Sequence, residues 1–132
     1  MRLMLGMALL TAGGCIYLLQ RPTSLLLFRV VDALGAKAWL DGVRETVSAW
    51  PEFVVYSLPG GLWSAAYVLL ADVLFSSFST ATRLAWTAVI PAAGLLSELM
   101  QAVGLCPGTP DAADAWCYVL PYIIYVITLK WN

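Results

Sequence analysis

The sequence predicts an all-α membrane protein: a bundle of four transmembrane helices with an amphipathic interfacial segment between the first and the second. Three observations predict it. The 132 residues are 61% hydrophobic and only 11% charged. Mean hydropathy is +0.83, and a soluble domain of this length lacks the interior to hide so much apolar surface. Apolar runs able to cross ~30 Å of hydrocarbon at ~1.5 Å per residue recur along the chain, divided by polar turns. Together they make residues 1–132 a single transmembrane domain.

The first run covers about residues 3–19, and Gln20, Arg21 and Pro22 end it. Its start has one basic residue and small residues before Cys15, as a lipoprotein cleavage site does. The apolar run continues past Cys15, so an uncleaved first span is expected. Residues 23–55 are of another kind. Leu26, Phe28, Val31, Leu34, Trp39 and Val43 alternate with Arg29, Asp32, Lys37, Asp41, Arg44 and Glu45, with breaks at Gly35 and Gly42. That composition suits helices lying at the membrane interface. A spanning or re-entrant stretch at 24–34 is the other reading.

Ser57-Leu58-Pro59 reads as a cap and a first-turn proline opening the second span, about 60–78. SSFSTATR is the turn, and the third span follows at about 84–105 with a kink expected at Pro91. After CPGTPD, Thr109 reads as the cap and Pro110 as the first position of the fourth span, about 111–129, bent at Pro121. Lys130 and Trp131 suit the headgroup region.

Four spans place both termini on one side. Arg2, Arg83 and Lys130 lie there, against Arg21, Arg29, Lys37 and Arg44 on the other side, which also carries four carboxylates. The loop with Asp111 and Asp114 has no cation, which points to cytoplasmic termini. A net charge of -1 and the absence of a basic patch exclude nucleic acid as a partner. Membrane lipids are the expected surroundings. Cys15, Cys106 and Cys117 match no zinc spacing and no His is present, so neither metal nor other cofactor is expected. Cys106 and Cys117 flank one loop, so a disulfide in an oxidising space and plain apolar filling are both open.

Two acids stand inside spans, Asp72 and Glu98, and an ionisable residue at membrane depth is a functional candidate. At ~1.5 Å per residue from the 79–83 turn, Asp72 lies about 14 Å deep and Glu98 about 25 Å, so two separate sites are expected. Gly94, Ser97, Glu98 and Gln101 share a helix face. Asp111 and Asp114 open the next helix, and Tyr118, Tyr122 and Tyr125 continue down it. The candidate ligand-binding set is therefore Glu98, Gln101, Asp111, Asp114 and Tyr118, with Arg21 and Arg29 as charge partners. The structural alternatives are helix capping for Asp111 and Asp114, interhelical hydrogen bonding for Glu98 and Gln101, bonding of Asp72 to Ser76 or Ser77, and packing for the tyrosines.

The run S-E-L-M-Q at 97–101, a turn, and D-A-A-D at 111–114 resemble the VanZ-like family of small polytopic membrane proteins, as does S-L-P-G-G-L-W at 57–63. The resemblance covers about residues 57–121. It places the family's Glu, Gln and paired Asp on Glu98, Gln101, Asp111 and Asp114. The family Arg falls on Gly108, its Asn on Tyr118 and its Gly on Pro121. The resemblance implies a bacterial envelope protein of the inner (cytoplasmic) membrane, multi-pass, linked in its founding case to resistance against a lipid-bearing glycopeptide antibiotic.

The reading that follows is a non-enzymatic protein binding an amphiphilic ligand or lipid headgroup in an acidic cleft at the outer leaflet. The alternative is a small subunit of a homo-oligomer or of a complex with other membrane proteins, conducting ions past a ring of Asp72. Its surfaces would be Gly6, Gly13, Gly14 and Gly94. An enzyme holding a divalent ion on Glu98, Asp111 and Asp114 is the third reading, and no nucleophile setting accompanies it.

Overall fold

A computed structural model describes residues 1–130, and their regular structure is helical with no strand. The helices are α1 (Arg2–Gln20), α2 (Leu26–Ala33), α3 (Lys37–Glu45), α4 (Glu52–Tyr56), α5 (Leu58–Leu74), α6 (Thr80–Thr87), α7 (Val89–Ala102) and α8 (Ala112–Lys130). Among the described residues, three stretches are long and apolar enough to cross a bilayer: Arg2–Gln20, Thr80–Ala102 and Ala112–Leu129. α5 is apolar but shorter, at 17 residues. Trp131 and the side chain of Lys130, expected at the headgroups, lie outside the described residues.

α5 is the hub. It packs against α1 and α8 and also meets α4, α6 and α7, while α7 lies along α8. The closest approaches use glycine. A Cβ on Gly13 would come within 2.6 Å of the Trp63 indole nitrogen, and one on Gly6 within 3.0 Å of Leu70. The Tyr118 ring occupies the space where a Gly94 Cβ would stand. Small residues let backbones approach in this way where apolar contact alone gives no preference for protein over lipid. The fully enclosed centre is Ser64, Ala66, Val68 and Asp72 on α5 with Thr87 on α6. Leu3, Leu5, Leu96, Leu99, Ile124 and Ile127, among others, are exposed around it.

Several boundaries differ from the sequence expectation, each for a local reason. The third span, Thr80–Ala102, is interrupted at Ala88, one turn before Pro91 where the kink is expected, and it stops short of 105. Pro91 has no N–H for the Thr87 carbonyl, and its ring crowds that carbonyl. The Thr87 hydroxyl turns back to the carbonyls of Arg83 and Leu84 at 2.8 and 3.2 Å, a bond that bends helices. α7 then ends at Ala102 because Gly104, at φ +72°, closes it, with Leu105 N–H reaching the Met100 carbonyl at 2.8 Å. Gly35 ends α2 in the same manner at φ +70°, with Ala36 N–H on the Val31 carbonyl. Gly42, expected as a second break, lies inside α3.

The second span ends at Leu74 instead of 78, and Phe75–Phe78 turn toward α6. Part of the expected SSFSTATR turn is helical, since the Ser79 hydroxyl accepts from Thr82 N–H and starts α6. At α8 the capping side chain is Asp111, not Thr109. Its Oδ1 accepts from Ala113 N–H at 2.8 Å and its carbonyl from Ala115 N–H. Ser57 precedes α5 in helical conformation and its side chain makes no capping bond.

The segment between α1 and α5 folds over the end of α1. Arg44 donates to the Leu18 and Arg21 carbonyls at 2.5 and 2.9 Å, two acceptors that the helix end leaves open. Gln20 donates to the Ser48 carbonyl at 3.0 Å. Phe28 and Leu40 are buried under this cover, and the Arg44 guanidinium lies over the Phe28 ring. Leu26, Leu34 and Trp39 point outward.

Candidate functional site

α4, the start of α8 and the loop before it frame, beside Arg21, a cavity of about 450 Å³, lined by Arg21, Glu52, Phe53, Tyr56, Ser57, Thr109, Asp111, Ala113 and Asp114. Arg21 stands just past the last turn of α1, where its N–H closes on the Tyr17 carbonyl. Its guanidinium carbon lies 4.7 Å from the Tyr56 ring centre and 5.4 Å from that of Tyr17. Held between two rings, it presents a fixed charge. Three carboxylates share the cavity with this one cation, so the cavity is acidic.

Two atoms here are buried without a hydrogen-bond partner: Arg21 Nε and Asp114 Oδ1. Asp114 stands in the first turn of α8, where carboxylates suit the unpaired N–H groups. That preference accounts for its position but leaves Oδ1 unmatched. A buried acceptor or donor left so costs about 1–3 kcal/mol, and native structures retain few of them.

Behind the cavity wall, Glu98 is buried on α7. Its Oε2 accepts from Asp111 N–H at 3.0 Å, and its Oε1 is 3.5 Å from Gln101 Nε2. Gln101 also reaches the Ser97 hydroxyl at 3.4 Å. Glu98 is thus the anchor that pins the start of α8 to α7, which is the helix-joining reading of this acid. Gln101 and Tyr118 do not line the cavity. The Gln101 amide packs against Gly108, whose φ of +134° suits glycine. Tyr118 is wedged between Gly94 and Gly60, and its carbonyl accepts from Ser64 at 2.7 Å. Arg29 is exposed and does not line the cavity. Cys106 and Cys117 are free thiols.

The other acid has a different setting. Asp72 is 2% exposed and is bound by three side chains from three helices. Arg2 Nη1 donates to Oδ2 at 2.5 Å, Arg83 Nη2 donates to Oδ1, and the Tyr125 hydroxyl donates to Oδ1 at 2.7 Å. The expected bonds to Ser76 or Ser77 are replaced by this set. Asp72 and Glu98 thus occupy separate sites, as the depth count expects, but α5 stops at Leu74, so Asp72 lies in its last turn and Arg83 in the first turn of α6 comes within reach. The sequence places Arg2 and Arg83 on one side of the membrane, and two cations with one acid near that side is the available signal. Tyr125 gave none beyond its place in the tyrosine series.

Comparison with protein-family models, with curated proteins and with solved structures finds no match.

Proposed function

We propose that the chain is a multi-pass protein of the bacterial cytoplasmic membrane that binds the polar end of an amphiphile in the Arg21–Asp114 cavity. In this reading α5 makes a fourth crossing beside the three long helices, and α2 and α3 lie at the interface on the side of the cavity. The observation that carries the proposal is the gathering of Arg21 with Glu52, Asp111 and Asp114 around one roomy cavity, charges of both signs on its wall. A headgroup with an acceptor for the guanidinium and donors for the carboxylates suits that lining. Volumes of this order hold small ligands. Phe53 and Tyr56, about half exposed, offer apolar surface for the chain beyond the headgroup.

The VanZ-like resemblance supports the same reading in part. Glu98, Asp111 and Asp114 come together at one helix end, and Gly108, where the family carries Arg, has a backbone and a neighbour that disfavour a side chain. Arg21 supplies a guanidinium to that cavity from another helix. The alternative of an oligomeric ion-conducting subunit has less behind it. Gly6, Gly13 and Gly94 face side chains of the same chain, Gly14 alone of the four faces open space, and Asp72 is bound to two arginines instead of facing a path.

The test is co-purification. Wild-type protein and the variants Asp114→Asn and Arg21→Gln are extracted in mild detergent, washed, and their retained amphiphiles identified by mass spectrometry. Each variant should retain about tenfold less of one species, the result of losing ~1.4 kcal/mol of binding, at unchanged helicity. Equal retention by all three proteins would remove the cavity as a binding site.

A further inference from the structure

A second cavity of about 320 Å³ lies at the opposite end of the molecule, between α1, α5 and α8. Leu5, Ala65, Leu69, Leu120 and Ile124 line it, and Arg2 stands at its edge. Leu5, Leu120 and Ile124 are each about half exposed, so the groove opens on the outer surface of the helices. Around helices that cross a bilayer, that surface faces acyl chains. The charge at the edge has a sign. Asp72 is bound by Arg2 and Arg83 together, so two guanidiniums meet one carboxylate and the cluster keeps one positive charge in excess. Arg83 is mostly covered, whereas the Arg2 side chain is 44% exposed. The excess charge is therefore presented by Arg2, beside the mouth of an apolar groove.

The geometry points to a binding site for an anionic phospholipid, one acyl chain lying in the α1–α5–α8 groove and its phosphate on the outward side of Arg2. Phosphate oxygens pair with guanidinium N–H groups as the Asp72 carboxylate does, and Asp72 holds Arg2 in place for the second contact. Basic pockets between transmembrane helices take anionic headgroups by the same chemistry. This site is separate from the Arg21–Asp114 cavity and rests only on the membrane placement of the helices.

The full chain in detergent is titrated with phosphatidylglycerol and, separately, with phosphatidylcholine of the same chains, and adducts are counted by native mass spectrometry beside size measurement. The expected result is a 1:1 adduct favouring phosphatidylglycerol about fivefold, equal to the ~1 kcal/mol that one Arg contributes toward anionic lipid. Ala65→Phe fills the groove away from the ion pairs and should weaken both lipids. Arg2→Gln should erase the preference and keep chain binding. Equal binding of the two headgroups, undiminished binding by Ala65→Phe, or a dimer that lipid displaces would each overturn the proposal, the last by showing that a second copy fills the groove. If Arg2→Gln does not fold, the headgroup comparison and Ala65→Phe still decide.

Discussion

Asp72 is buried with a full complement of donors, and that settles how it is tolerated. A carboxylate with two arginines and a tyrosine is a neutralised and hydrogen-bonded group, not a lone charge in hydrocarbon. Removing its charge strands Arg83, which is mostly covered, so Asp72→Asn should destabilise by about 3 kcal/mol. Tyr125→Phe removes one interhelical bond and should cost only about 0.6 kcal/mol. Reversible unfolding in mixed detergent micelles measures both, and equal losses would mean that the hydroxyl, not the charge, dominates. Which residues surround Asp72 was only half legible in the sequence. The two arginines could be placed at the right end of the molecule, but the pairing depended on where α5 stops, and helix ends are set by turn chemistry that composition does not reveal.

The helices themselves were more legible than their ends. Apolar runs at 3–19, 60–78, 84–105 and 111–129 each contain a helix, because hydrophobic length is a strong signal. The distortion expected from Pro91 is present but sits at Ala88, next to the Thr87 carbonyl that the proline leaves without a donor, and of the two caps the sequence offers for α8, Thr109 and Asp111, it is Asp111 that caps. The sharing of a face by Glu98 and Gln101 was readable, and so was the gathering of Asp111 and Asp114 at one helix start. Glu52 and Tyr56 were not, because they come from the far side of a crossover that local pattern does not position. Between α7 and α8 the close contact is Gly94 under the Tyr118 ring. Gly94→Ala should destabilise by about 1–3 kcal/mol through overpacking. Tyr118→Ala makes room for the methyl, so the double variant should lose less than the sum of the two single ones. Additive losses in the same unfolding assay would show that the contact yields without cost.

The whole chain can be placed relative to the bilayer by where its turns emerge. With α5 as a crossing, positions 48 and 109 share one side and position 79 lies on the other. In a cysteine-free background, Ser48→Cys and Thr109→Cys should react with an impermeant maleimide from the same face of the membrane, and Ser79→Cys from the opposite face. Labelling of 48 and 79 from one face would mean that α5 does not cross. The order in which the Asp72 partners occur along the chain has its own effect during synthesis. Arg2 leaves the ribosome before the acid, which follows seventy residues later, Arg83 comes eleven residues after that, and Tyr125 comes after all three. A nascent chain therefore brings a counter-ion into the bilayer ahead of the group that needs one, and α8 closes a network whose carboxylate already holds both arginines.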